Sequence, residues 1–531
     1  MSYFLTPSLQ RKPVLGRNVV ATSQPLATQA GLAALARGGN AIDAALAAAI
    51  TLTVVEPTMN GLGGDAFALV WHNKKLHGLN GCGRAPAAWG PEWFEGHTSM
   101  PERGWGSVTV PGQVAAWADL SERFGQLPFE SLFESAIRYA SEGFPVSPVI
   151  ARQWQNFAPV LKDYPGFEQA FMPHGKVPQA GDIWSFADQA KTLGEIARTG
   201  GRSFYEGDLA QAMVAFAKSH GAALSQADLA EHKSKWVQPI CTRIKDAALH
   251  EIPPNGQGVA ALMALGILQH AGYEHTTPGS ALRTHLEIEA MRIAFADLYA
   301  HIAEPASMHM GVEDLLNPTY LKQRAALINP SQAGQHEAGA PKTGGTVYLC
   351  SADAQGNMVS YIQSNFNGFG SGVVVPGTGI AFQNRGSGFV LTPGHPNVVA
   401  GRKRPMHTII PAFLTRGDKP VMAFGVMGGN MQAQGHVQMT LRTVIDGLNP
   451  QAAIDAPRWR MLDNGQLTLE SHWPSHIVDT LRSMGHNPQV QSADSIEFGC
   501  AQAVAMHSDN HGQAVYIGGS DPRRDGLASV Y

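Results

Sequence analysis

Cysteine is scarce: Cys82, Cys241, Cys350 and Cys500 are the only four in 531 residues. They lie far apart with no CxxC pair, which argues against a disulfide framework and a zinc cluster and fits a reducing cytoplasm. Long apolar runs are also missing. The longest, "ALAAAITLTVV" ending at Val55, is too short to cross a bilayer, so it reads as a buried helix and no membrane partner is expected. The N-terminus carries Pro7 and Pro13 and lacks the apolar core of a secretory signal. Charge is sparse and nearly balanced, with 38 Lys and Arg against 42 Asp and Glu, so nothing electrostatic points to nucleic acid. The one compact basic cluster, "GRKRP" at Gly401–Pro405, reads as a solvated loop. The HExxH motif is absent, and "HLE" at His285–Glu287 has no PCxxC partner and reads as helix surface; no metal or cofactor is expected. "GLGGDAF" from Gly61 follows a helix and Pro57, the wrong context for a dinucleotide loop.

What is present is a composition for a large core, 44% hydrophobic and 15% charged, which excludes disordered and fibrous classes. The front two thirds reads as mostly helix. Pro25 sits at an N1-like position, and Asn40 with Asp43 caps the apolar helix that follows. Further helical spacing recurs in "GQVAAWADLSERFG", "LFESAIRYASEGF", "ADQAKTLGEIARTG" and "LRTHLEIEAMRIAFADLYAHI". After about Gln335 the texture changes. "HEAGAPKTGG" is linker-like, and "TVYLCSA" and "MVSYIQSNF" flank "DAQGN" as a hairpin. Strands are also expected at "GIAFQN", "PAFLTRG" and "PVMAFGV", the last followed by a helix. A helical front and a sheet-rich back point to packed α/β layers.

Two glycines, Gly344 and Gly345, stand directly before Thr346. They suit a flexible loop tip before a strand. They also suit chain cleavage before Thr346, because attack by Oγ on the preceding carbonyl needs close approach and a distorted backbone. The freed α-amine, with an ordinary pKa of about 8, then serves as the base for the hydroxyl on its own residue. "VMAFGVMGGNMQ" reads as strand, tight turn and helix. Gly428 and Gly429 there are either an ordinary connection or a pair of amides placed to bind oxyanion charge.

Together, "VVATSQPLATQAGLAALARGGNAIDAALAAAITLTVVEP", "GLGGDAF", "VPGQVAAW", "AFADLYA" and "VMGGNMQAQGHVQ" occur in an order that resembles the gamma-glutamyltranspeptidase family of N-terminal-nucleophile hydrolases, over nearly the whole chain. The resemblance implies a four-layer αββα sandwich and a proenzyme that cuts itself. The cut between Gly345 and Thr346 would leave a large fragment, 1–345, and a small one, 346–531, folded as one intertwined body. By position, Thr346 matches the nucleophile, Ser364 the supporting hydroxyl, and Gly428 and Gly429 the oxyanion pair.

The donor pocket departs from the family. In place of an acidic "MDDF"-like segment, "FQNRGSGF" presents Arg385 and Gly388; Met406, His407 and Thr408 stand where two serines are typical; and Phe366 replaces an asparagine. Arg84 directly precedes Ala85 where the family's carboxylate-binding arginine stands three positions before its "AP" pair. The loop before "KRPMHT" is short, implying a more open site. These features resemble the cephalosporin-acylase-like branch. A guanidinium in place of a carboxylate disfavours a glutamyl head and favours an acyl group ending in a bare carboxylate, glutaryl-like or shorter, held by Arg84 or Arg385. Gamma-glutamyl donors such as glutathione stay open, with Asn384 or Asn367 as ammonium acceptors, as do an oxamate-like monoamide and an unprocessed binding protein. A homo-oligomer is the further expectation from related folds.

Overall fold

The computed structural model describes residues 11–334, 345–462, 464–493, 495–508 and 511–531. At its centre lie two seven-stranded sheets. One runs in spatial order Val14–Gly16, Ala514–Ser520, Cys500–Ser508, Lys419–Met427, Ala412–Arg416, Ala247–Glu251 and Ile240–Ile244. The other runs Leu527–Val530, Val19–Thr22, Gly345–Ala352, Met358–Phe366, Asp65–His72, Lys75–Gly81 and Lys235–Val237. All neighbours within both sheets are antiparallel.

Three apolar cores separate four layers. Phe67, Tyr348 and Ile362 from one sheet meet Phe413, Ala423 and Val504 from the other. On the outer face of the sheet containing Thr346, the helix Ala41–Val55 packs with Trp117 and Trp154. On the opposite outer face lie the helices Gly258–His270 and Ala281–His301. This is the expected αββα sandwich. The sheets approach closely at Gly425, where a Cβ would lie 2.4 Å from the Tyr348 ring, so a side chain there would force the layers apart.

The helix Ala41–Val55 is buried along its full length, which explains a sequence without a polar face. Its start is fixed by the reciprocal Asn40 and Asp43 cap. Asp353, in the turn of the expected hairpin, also accepts from the Ala41 amide at 2.7 Å, placing a carboxylate at a helix N-terminus. That hairpin forms between Gly345–Ala352 and Met358–Phe366.

Several expectations need correction. The front of the chain is not only helical, since each sheet takes strands from both sides of Gly345. "GIAFQN" supplies only the short strand Ile380–Ala381. "GRKRP" is not a solvated loop: Arg402 is exposed, but Lys403 and Arg404 are buried. Lys403 donates to the Pro396 and Val398 carbonyls, and Arg404 donates to the Cys82 carbonyl and pairs with Glu304. "HLE" is not helix surface either. His285 is wholly buried and bonded to His486, and Glu287 accepts from Tyr273 and Trp459. Of "HEAGAPKTGG", only Gly345 falls within the described residues.

Candidate active site

Thr346 is the second residue of the strand Gly345–Ala352, central in its sheet and almost fully buried. The register slips there: Gly345 pairs with Phe366, but Val347 pairs with Gln363. Ser364 and Asn365 therefore oppose Thr346 alone, a bulge that re-aims side chains next to it. Phe366, at the end of the bulge, holds a left-handed φ of 76°, a strain that persists only where surrounding contacts fix it.

The Thr346 hydroxyl donates to Ser364 Oγ at 3.4 Å and accepts from Gln432 Nε2 at 3.3 Å. Ser364 Oγ also accepts from the Phe366 amide at 2.7 Å and from Arg385 Nη2 at 3.0 Å. The other guanidinium arm, Nη1, donates to Thr408 Oγ1 at 2.7 Å, and the group lies 4.3 Å from the Phe366 ring centroid. Arg385 is 1% exposed, and burial pulls its pKa down to about 9. Among the described residues no carboxylate forms an ion pair with it, and its Nε has no hydrogen-bond partner. Asp65 favours the cation without contacting it, and burial still outweighs that attraction; a buried cation with no carboxylate in contact is costly and favours an incoming anion.

A cavity of about 330 Å³ opens against this cation. Arg385, Phe366 and Thr408 line it together with Met406, Leu298 and Phe389. The segment expected to be a short, open loop contributes Val390, Leu391, Thr392, His395 and Asn397 to its wall. Among the described residues no Asp or Glu lines it.

Beneath Arg385, Asp65 is fully buried and accepts from the Gly83 and Gly112 amides. Burial raises its pKa to about 6, against the lowering pull of Arg385. His407 Nε2 lies 3.1 Å from Asp65 Oδ2. Burial, reinforced by Arg385, holds this imidazole well below its usual pKa, so it is neutral and donates to Asp65. Ligand atoms of Asp65, Cys82 and His407 lie within 4.8 Å of one another, as do those of His285, Glu289 and His486. Both groups are committed to hydrogen bonds: Cys82 Sγ, its thiol pushed up by burial, donates to the Gly83 carbonyl, and His285 bonds His486 at 2.7 Å.

Gly428 and Gly429 form the turn between the strand Lys419–Met427 and the helix Met431–Thr440, with φ of 124° and 61°. The Gly429 carbonyl accepts from the Gln432 amide and from Gln257 Nε2. Gln257 also donates to the Thr408 carbonyl. The diglycine is thus one helical turn from the residue that touches Thr346.

Thr346, Ser364, Arg385, Thr408 and the diglycine turn come together as one network. Arg84 does not join it; its guanidinium pairs with Glu304 at 3.0 Å and donates to the Arg402 carbonyl. Asn384 is buried with both side-chain atoms engaged, donating to the Glu102 carbonyl and accepting from the Asn367 amide. Among the described residues Asn367 Oδ1 has no hydrogen-bond partner. His407 faces Asp65 and not the cavity. Sequence reasoning passed over Asp65, Gln257 and Gln432. Asp65 sits inside the quoted "GLGGDAF", and Gln432 lies three residues after a diglycine, in the first helical turn.

The gamma-glutamyltranspeptidase family model matches residues 27–531. The chain is 34% identical over 530 residues to the glutathione hydrolase-like YwrD proenzyme of Bacillus subtilis (strain 168), covering 97% of this chain and 99% of that one. It is also 34% identical to the oxamate amidohydrolase proenzyme of Klebsiella pneumoniae, covering 95% and 97%. The solved cephalosporin acylase from Bacillus halodurans superposes with a TM-score of 0.94 at 46% identity, over 100% of this chain and 98% of that one. With a family model matched over residues 27–531 and full-length relatives 34% identical to it, this chain belongs to the gamma-glutamyltranspeptidase family.

Proposed function

We propose that this enzyme matures by cutting itself between Gly345 and Thr346 and then uses Thr346 as both nucleophile and base. In maturation, Thr346 Oγ attacks the Gly345 carbonyl carbon and the peptide bond to Thr346 nitrogen breaks. Water then hydrolyses the ester, leaving a Gly345 carboxylate and a free α-amine on the 346–531 fragment. In turnover that amine takes the hydroxyl proton as Oγ attacks an amide, and returns it to the departing amine. Gly428 and Gly429 amides hold the oxyanion, and water or a second amine releases the acyl group. A cytoplasmic setting belongs to the same proposal, supported by four free cysteines.

The donor we propose is an amide whose acyl group ends in a carboxylate paired with Arg385, as in a glutaryl amide. The observation that carries this is a buried guanidinium, without a carboxylate in ion-pair contact among the described residues, at the wall of a cavity that no described Asp or Glu lines. The two asparagines considered as acceptors for the ammonium of a gamma-glutamyl head are not among the residues lining that cavity, and Asn384 is engaged by the Asn367 amide and the Glu102 carbonyl. A second reading, a shorter oxamate-like acid, is favoured by distance. Arg385 Nη2 and Thr346 Oγ1 are both bonded to Ser364 Oγ, so they lie within ~6.4 Å of each other. A two-carbon acid bridges that gap directly, whereas a five-carbon one must bend into the cavity.

Denaturing electrophoresis and intact mass, with and without Thr346→Ala, test the maturation step. Two fragments from the wild type and one full-length chain from the variant are expected; an active, uncut wild type would overturn it. Turnover of glutaryl, oxamic and gamma-glutamyl amides tests the donor. Robust gamma-glutamyl turnover without either acid would reject the Arg385 argument.

A further inference from the structure

Three glutamines follow the diglycine in "GGNMQAQGHVQ". Two of them tie the helix to neighbouring backbone. Gln434 donates to the Met461 carbonyl and Gln438 to the Trp459 carbonyl. Gln432 is different: fully buried in the first helical turn, it turns its amide to the Thr346 hydroxyl.

Which end of that amide meets Thr346 is fixed from behind. The Ile410 backbone amide donates to Gln432 Oε1 at 3.0 Å, so Oε1 is the acceptor and Nε2 is the donor toward Thr346. A threonine oxygen has one hydrogen and two lone pairs. The hydrogen points to Ser364, one lone pair is engaged by Gln432 and the second is left to attack. An N–H donor at Oγ also lowers the cost of negative charge there, both as the nucleophile forms and as Oγ leaves in acyl release. The contact is 3.3 Å in the uncut chain, a length that shortens as charge develops.

We propose that Gln432 is a positioning residue for the nucleophile, a role separate from the oxyanion pair and from acid recognition by Arg385. It rests on the reading of Thr346 as nucleophile. Gln432 does not contact substrate; it acts through Thr346 Oγ.

The test compares Gln432→Leu and Gln432→Glu with the wild type, each isolated as the two-fragment enzyme, on one amide substrate across pH. Leucine removes the donor, and kcat is expected to fall about 10- to 100-fold with KM within about twofold. Glutamate keeps the shape but, once ionised, sets a like charge against the developing alkoxide. The ratio of its kcat to that of the wild type is therefore expected to rise toward one as pH falls and the carboxyl is protonated. A merely structural role would not produce a pH-dependent ratio. A flat ratio for glutamate together with a KM-only change for leucine would overturn the proposal. If Gln432 variants mature too slowly to be isolated as two fragments, the rate of single-band to double-band conversion after dilution from denaturant is followed across pH, with the same expectation for glutamate and the same refutation by a pH-independent ratio. Failure of the nucleophile reading would look different, as turnover surviving in Thr346→Ala.

Discussion

Arg385→Met separates what the buried guanidinium costs the fold from what it gives the reaction. A pKa lowered from 12.5 to about 9 means that folding disfavours the cation by roughly 5 kcal/mol, at 1.36 kcal/mol per pH unit. The folded pKa lies below the unfolded one, so the penalty is whole at pH 7 and is relieved only as pH rises above about 9. Methionine removes it but loses hydrogen bonds to Ser364 and Thr408 and the contact with Phe366. Those losses come to about 1 kcal/mol each. The balance predicts a variant about 2 kcal/mol more stable than the wild type at pH 7.

Activity should move the other way. Removing one partner of a buried charge pair costs 2–5 kcal/mol, so kcat/KM on acid-terminated amides should fall about 30-fold or more. Free dicarboxylates provide a readout independent of turnover. At a hundred times Kd, glutarate or oxalate should add about 2.7 kcal/mol to wild-type stability and nothing to Arg385→Met. Thermal and urea unfolding with and without each acid measure both effects. A variant less stable than the wild type in the absence of ligand, or an equal ligand effect on both proteins, would refute the reasoning.

Glu56 is buried beside Ser23 and Arg524, and burial raises its pKa from 4.5 to about 7. A raised carboxyl stabilises the fold in its protonated form, so stability should decline as pH rises from about 4.5 through 7. Glu56→Gln should flatten that decline by up to about 3 kcal/mol, measured by urea unfolding at pH 5 and pH 8. Gly428→Ala meets a φ of 124° and would bring a Cβ to 3.2 Å from Gly499 Cα. A loss of 1–3 kcal/mol in stability and at least tenfold in kcat is expected; an unchanged kcat would remove this turn from the chemistry.

The layered class was legible because its signals are local. A fully apolar helix with a capping box at Asn40 and Asp43, and two β-branched runs around "DAQGN", announce themselves within a few residues of sequence. The mixing of front and back strands within one sheet is set by long-range pairing, which composition does not carry. Arg385 stood out by its sign against the family pattern. Arg84 looked equally suitable, because nothing local reveals that Glu304, distant in the chain, neutralises it. The burial of Lys403 and Arg404 was missed for the same reason, their partners being carbonyls and a carboxylate supplied by other segments. Asp65 and Gln432 were printed in the quoted motifs, yet their roles appear only when the bulge at Thr346 brings three strands and a helix start to one point.

Cleavage before Thr346 need not separate the two pieces, and the reason lies in the same strand order that hid from the sequence. The strand beginning at Gly345 lies between Val19–Thr22, which precedes the cut, and Met358–Phe366, which follows it. The final strand, Leu527–Val530, pairs with Val19–Thr22 on its other edge. Just before it, Arg524 approaches Glu56 at 3.5 Å, and the Asp525 carboxylate accepts from the Val149 amide at the start of a helix. Charges from the last ten residues are thus buried against the first third of the chain, where releasing them would strand unpaired ions. On the proposed mechanism Thr346 can therefore gain a free amine at a strand start while its neighbours stay in register.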